Sequence, residues 1–252
     1  MNRSEPLFSD TRIAFASKSD NDLRRAYWLF RMIGFNWLVR ISPPFVNTAF
    51  RLNLPVKGII RRTIFRHFCG GEDIDGCNRT IQELHRFGIG TILDYSVEGS
   101  ESESDFDATH SEILATIKRA HGDTAIPFCV FKPTGIGRFA LLEKKNSGRD
   151  FDATESAEYE RFVHRLENIC STAHQFGVPV FVDAEESWIQ DVIDSLVLEM
   201  MRRFNKQKAI VYNTVQLYRH DRLEYLRSLL ESARSSGFKV GVKLVRGAYM
   251  EK

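Results

Sequence analysis

The sequence predicts an α/β protein on a parallel sheet, of the (β/α)8 barrel type, with about five β/α units preceded by N-terminal helices. Three observations carry that expectation. Helical patterns of period 3.6 alternate with short β-branched runs, successive runs end on polar or charged residues, and no glycine fingerprint opens the first strand-to-helix turn.

Tyr27 to Ile41 is the most apolar stretch, but Arg31, Asn36 and Arg40 interrupt it, so it does not read as a transmembrane span. Its Trp28, Leu29, Phe30, Ile33, Phe35, Trp37 and Leu38 suit a helix packed on the fold, or one lying flat on a lipid surface with arginines reaching the headgroups. Residues 1–60 are therefore assigned to an N-terminal helical segment and residues 61–252 to the barrel portion.

Asp73 or Asp75 can cap a helix with Cys77, Ile81 and Leu84 on one face, and Gly88 can end it. The apolar run Thr91 to Ser96 is the first strand, and the polar segment Gly99 to Asp105 is expected to be a solvated loop. A helix bearing Ile113, Leu114 and Ile117 then leads to the strand Ile126 to Lys132. One bearing Tyr159, Phe162, Leu166, Ile169 and Ala173 leads to Val178 to Asp183. A third, with Ile189, Ile193, Leu196 and Met200, precedes Ala209 to Gln216. The last, with Leu223, Leu226, Leu230 and Ala233, ends at Gly237 before Val240 to Val245.

Such alternation fits an open doubly wound sheet or a closed barrel. Gly135-Ile136-Gly137-Arg138-Phe139-Ala140 matches a dinucleotide fingerprint in letters, but it follows the second strand and runs into the charged segment Glu143 to Arg149. Asp94, Lys132, Asp183, Gln216 and Lys243, by contrast, stand at or near the C-terminal ends of successive strands, where a barrel gathers its active site. Five strands do not close an eight-stranded barrel, so the chain is expected to be an incomplete, C-terminally truncated form.

Composition narrows the function classes. With 43% hydrophobic and 27% charged residues in 252, the chain falls in the ordinary globular class, and a net charge of +2 gives no reason to expect nucleic acid. Cys69, Cys77, Cys129 and Cys170 lack C-x-x-C spacing and read as free thiols in a reducing compartment. Asp183-x-Glu185 has no histidine near it, so no metal is expected, and Glu185 and Glu186 read as loop or helix-start residues. Acidic residues and the lack of an apolar run near the N-terminus argue against a secretory or mitochondrial leader, which points to the cytoplasm.

Several separated motifs then occur in an order that resembles the proline dehydrogenase family. They are Phe131-Lys132-Pro133-Thr134-Gly135, Val182-Asp183-Ala184-Glu185-Glu186, Asn213-Thr214-Val215-Gln216-Leu217-Tyr218 and Val242-Lys243-Leu244-Val245-Arg246-Gly247-Ala248-Tyr249. Gly70-Gly71-Glu72-Asp73 and Asp94-Tyr95-Ser96-Val97-Glu98-Gly99 are similar too, so the likeness runs from about Arg61 to the last residue.

The resemblance implies a distorted (β/α)8 barrel that holds FAD non-covalently, oxidises L-proline to Δ1-pyrroline-5-carboxylate and passes electrons to a membrane quinone, with peripheral contact on the inner face of the cytoplasmic membrane. It also implies roles. Lys243 matches a basic residue against the flavin, often arginine in the family; lysine keeps the charge and loses the planar fork. Gln216 matches the residue that reads the polar edge of the isoalloxazine ring, and Gly247 allows close approach, flanked by Val245, Ala248 and the aromatic wall of Tyr249.

Lys132 and Asp183 are placed nearest the substrate, as an opposite-charge pair across neighbouring strands, with Asp183 organising the arginines that hold the proline carboxylate. Those arginines belong to the motif Tyr-x-x-Arg-Arg-x-x-Glu-Asn, which these 252 residues lack; the chain alone is thus expected to bind FAD poorly and not to turn over proline. Two rivals remain: a Schiff-base barrel lyase of the aldolase type using Lys132 or Lys243, and an inactive fragment.

Overall fold

The computed structural model describes residues 9–52, 55–95 and 101–247, so Ser96 to Ser100, Ala248 and Tyr249 lie outside the described residues. Packing divides the chain into two compact units, Met1–Gly90 and Thr91–Lys252. The division at 60/61 follows the onset of the resemblance instead, and we propose it only in that sense.

The first unit is helical: α1 (Thr11–Ala14), α2 (Asp20–Ile33), α3 (Asn36–Arg51), α4 (Val56–Ile60), a π-helical turn (Arg61–Phe65), α5 (Arg66–Phe68) and α6 (Ile74–His85). Ser19 caps α2 by accepting from the Asp22 amide at 3.2 Å, and Phe30 meets His67 and Phe68 edge-on at centroid distances of 5.2 and 6.2 Å. Asp73 caps α6 through the Gly76 amide at 2.6 Å, and Gly88 follows with φ 71°, the left-handed conformation that glycine tolerates.

The second unit alternates as the sequence predicts: β1 (Ile92–Asp94), α7 (Glu103–Ala120), β2 (Phe128–Phe131), a 3-10 turn (Pro133–Gly135), α8 (Phe139–Asn146), α9 (Ala153–Phe176), β3 (Val180–Val182), α10 (Ser187–Phe204), β4 (Val211–Gln216), α11 (Arg222–Ser236) and β5 (Val242–Val245). All neighbouring strands are parallel and follow chain order, β1-β2-β3-β4-β5. A doubly wound sheet reverses its order at a switch point, whereas a barrel adds each strand on the same side. Sequential order therefore places this sheet with the barrels, although among the described residues the five strands do not close.

The segment expected to be solvated loop is partly helix. Ser102 accepts from the Asp105 amide at 3.2 Å and starts α7, and Glu103 in its first turn forms an ion pair with the buried Arg165 of α9. The stripe assigned to α11 is also shifted: Leu229 and Ala233 are buried, while Leu223 and Leu230 face outward at 61% and 46% exposure. Arg222 takes the place on the buried face because Asp194 waits there for its guanidinium.

Gly137, the second glycine of the apparent dinucleotide fingerprint, has a packing role. A Cβ built there would stand 2.4 Å from Cδ2 of the buried Phe162, so α9 closes onto this backbone only because no side chain intervenes.

Candidate active site at the strand ends

Strand pleating puts successive side chains on opposite faces. In register, Cys129, Val180 and Val211 fall on the face covered by helices and are fully buried, and Phe128, Phe181 and Tyr212 fall on the other. Phe128 stacks on Phe181 at 4.6 Å and Tyr212 meets both edge-on at 5.5 and 5.4 Å, forming an aromatic floor. Above it, at the C-terminal ends of the strands, a cavity of about 250 Å³ is lined by Lys132, Asp183, Thr214, Gln216, Lys243 and Val245.

Lys132, Asp183, Gln216, Lys243 and Val245 are thus brought together from four strands. The ion pair at Asp183 is made with Lys243, which reaches across β4 and lies 5.4 Å from the Phe181 ring centroid. Lys243 reaches this carboxylate because its position on β5 projects onto the same face as Asp183; the expected pair of Asp183 with Lys132 remains a proposal. Among the described residues nothing lies within 4 Å of a Cβ built on Gly247, and Ala248 and Tyr249 lie outside the described residues.

Glu185 stands in the loop just before α10, as the sequence predicts, but its burial and bonding go beyond an ordinary loop residue. It is 5% exposed, and its carboxylate accepts from the Thr134 amide at 2.9 Å and the Thr134 hydroxyl at 2.5 Å. Its amide donates to Gln190 Oε1 at 3.1 Å, and its carbonyl accepts from Gln216 Nε2 at 2.6 Å. Burial pushes its carboxyl above the usual range, while the bonds from Thr134 work the other way. An acid after a strand usually caps a helix, and only the return of the 133–135 turn against it turns Glu185 into a strap between strand ends. Glu186 is the ordinary one of the two, standing at the N-cap of α10 without a side-chain capping bond.

Two atoms at the cavity remain unsatisfied. Thr214 Oγ1 and Gln216 Oε1, in residues 4% and 3% exposed, have no hydrogen-bond partner among the described residues. Leaving a buried polar atom unpaired costs about 1–3 kcal/mol, so such atoms at a cavity mark a place for a ligand. Gln216 Oε1 accepts only, the Thr214 hydroxyl can donate or accept, and Lys243 brings a cation. A ligand edge that offers an N–H to Gln216 Oε1 and a second polar group to the Thr214 hydroxyl satisfies that set. Among the described residues, no group of three or more His, Cys, Asp or Glu is placed to hold a metal ion, and no helix is long and apolar enough to cross a membrane.

Comparison with known proteins gives the family. The model of the proline dehydrogenase family matches residues 77–252. Similar curated proteins include the carbapenem antibiotics biosynthesis protein CarD of Pectobacterium carotovorum subsp. carotovorum, 36% identical over 73% of this chain and 49% of that protein. The mitochondrial proline dehydrogenase 1 of Dictyostelium discoideum is 31% identical over 96% of this chain and 49% of its own. The chain spans about half the length of these relatives. Proline utilization A from Bdellovibrio bacteriovorus, in the structure inactivated by N-propargylglycine, has the same fold with a TM-score of 0.62, 17% identity, and coverage of 98% of this chain and 26% of that one. Since the family match takes in well over half of its residues, the chain belongs to the proline dehydrogenase family.

Proposed function

We propose that this chain supplies the flavin-facing residues for oxidation of L-proline to Δ1-pyrroline-5-carboxylate, with FAD as cofactor and a membrane quinone as final electron acceptor. The observation that carries the proposal is the cavity in which Lys132, Asp183, Gln216 and Lys243 meet unpartnered Thr214 and Gln216 atoms, inside the family match. FAD, when bound, would take a hydride from the carbon beside the proline nitrogen.

Gln216 and Thr214 would then bind the polar edge of the ring, and Lys243 would oppose negative charge gathering on it. Asp183 holds the Lys243 ammonium in place. Lys132, on the opposite side of the cavity mouth from Lys243, would lie toward the substrate, and Val245 and Gly247 would leave room for the ring. A Schiff-base lyase needs a neutral amine at one of these lysines. The ion pair on Lys243 opposes that use.

Contact with a membrane surface is proposed for the first unit. Between Asp22 and Glu72 the sequence carries nine Lys and Arg and no acidic residue, and Trp28, Phe30 and Trp37 are 58%, 53% and 62% exposed. A cytoplasmic position on the inner membrane face is part of this proposal.

Titration of the purified chain with FAD, followed by anaerobic addition of L-proline, tests the proposal. Saturable binding is expected, because Thr214, Gln216 and Lys243 meet at one cavity. Bleaching by proline would extend the reaction to these residues alone. A chain on which FAD shows no saturable spectral change would overturn the assignment.

A further inference from the structure

Gln216 and Glu185 are held from behind the sheet by a chain of buried side chains that the proposed chemistry does not touch. Arg222 donates to Asp194 Oδ2 at 2.6 Å, with both side chains under 9% exposed. Asp194 Oδ1 accepts from Asn213 Nδ2 and from Gln190 Nε2, each at 2.8 Å. Gln190 Oε1 accepts from the Glu185 amide, and the Glu185 carbonyl accepts from Gln216 Nε2.

Each amide in that chain has one permitted orientation. Gln190 lies between a carboxylate, which only accepts in its ion pair with Arg222, and a main-chain N–H, which only donates. Its Nε2 must face Asp194 and its Oε1 must face Glu185. Gln216 lies against a carbonyl, so Nε2 must turn to Glu185 and Oε1 to the cavity.

We propose that Gln190 and Asp194 of α10 are positioning residues for the cavity: through the main chain of Glu185 they fix the Gln216 amide so that an acceptor, and not a donor, faces the ligand. Such a site takes a ring edge that presents an N–H and refuses one that presents only carbonyls. The assignment of that ring as flavin rests on the function proposed above; the orientation of Gln216 does not.

The test has two arms on the full chain. In ¹⁵N-labelled protein the Gln216 side-chain amide, identified by its loss in Gln216→Leu, is expected to exchange slowly with solvent. In Gln190→Met, which keeps the bulk of the side chain and loses both bonds, exchange should accelerate by about tenfold or more, since the restraint on Glu185 is lost. Ile193→Val, on the same buried helix face but outside the chain of bonds, should leave the signal unchanged. If Gln190→Met does not fold, Gln190→Asn, too short to span both partners, replaces it. An unchanged Gln216 amide in the Gln190 variant would overturn the proposal.

The second arm is a double-mutant cycle on FAD affinity. Gln190→Met should weaken binding by about tenfold in the natural background and less than about twofold beside Gln216→Leu, because the two act through one group. Equal losses in both backgrounds would show that Gln190 does not act through Gln216 and would overturn the proposal. Absence of FAD binding by the natural chain would instead count against the proposed function, and the exchange arm would still decide the positioning role.

Discussion

Asn213 and Thr214 are neighbours on one strand and face opposite sides of the sheet. Asn213 points toward the helices, where its Nδ2 donates to Asp194 and Tyr225 and its Oδ1 accepts from the Thr214 amide. Thr214 points into the strand-end cavity, and its hydroxyl has no partner among the described residues. Both residues are almost fully buried. The difference shows what separates structure from function in this sheet: on the helix-covered face Asn213 is satisfied internally, while on the cavity face the Thr214 hydroxyl and Gln216 Oε1 have no partner among the described residues.

That contrast can be broken at several points. The largest effect should come from the helix-covered face, where Phe162→Ala removes a side chain with no exposed surface and should cost about 3–5 kcal/mol in denaturant unfolding. Asp194→Ala leaves Arg222 buried without its inner partner and should cost about 3 kcal/mol; a loss under about 1 kcal/mol would mean that Asp221 alone suffices. Gly137→Ala drives a methyl into Phe162 and should cost about 1–3 kcal/mol.

The cavity face should answer in the opposite direction. Thr214→Val removes an unsatisfied hydroxyl without changing the shape, so the ligand-free chain should become more stable by about 1 kcal/mol. FAD binding should weaken at the same time. A destabilised Thr214→Val would mean that the hydroxyl is satisfied in solution and would remove one leg of the site.

The smallest effect is a pH slope. The carboxyl of Glu185 titrates above its ordinary value of 4.5 because it is buried. The folded chain then keeps a proton that the unfolded chain has already released, so stability falls as pH rises from 4.5 through the folded value. Glu185→Gln should flatten that slope, measured as the change in denaturation midpoint between acid and neutral buffer.

Much of this was legible in the sequence because the relevant signals are periodic or local. Alternation of amphipathic helices with apolar runs gave the α/β class, and polar residues at the run ends gave Lys132, Asp183, Gln216 and Lys243 as a group. Boundaries were softer: the run Ile126 to Lys132 pairs as a strand only over Phe128–Phe131. Leu223 and Leu230 on α11 face outward because the buried Asp194 draws Arg222 inward, which hydrophobicity alone does not encode.

The sequence by itself determined the order of elements, the family motifs and which side chains stand at strand ends, since these depend on residue type and spacing along the chain. Tertiary structure decided who meets whom: that Asp183 pairs with Lys243 across β4, that the loop residue Glu185 is a buried strap, and that Gly137 serves Phe162. Those outcomes depend on strand register and on the return of distant segments such as the 133–135 turn, over separations at which no local pattern carries information.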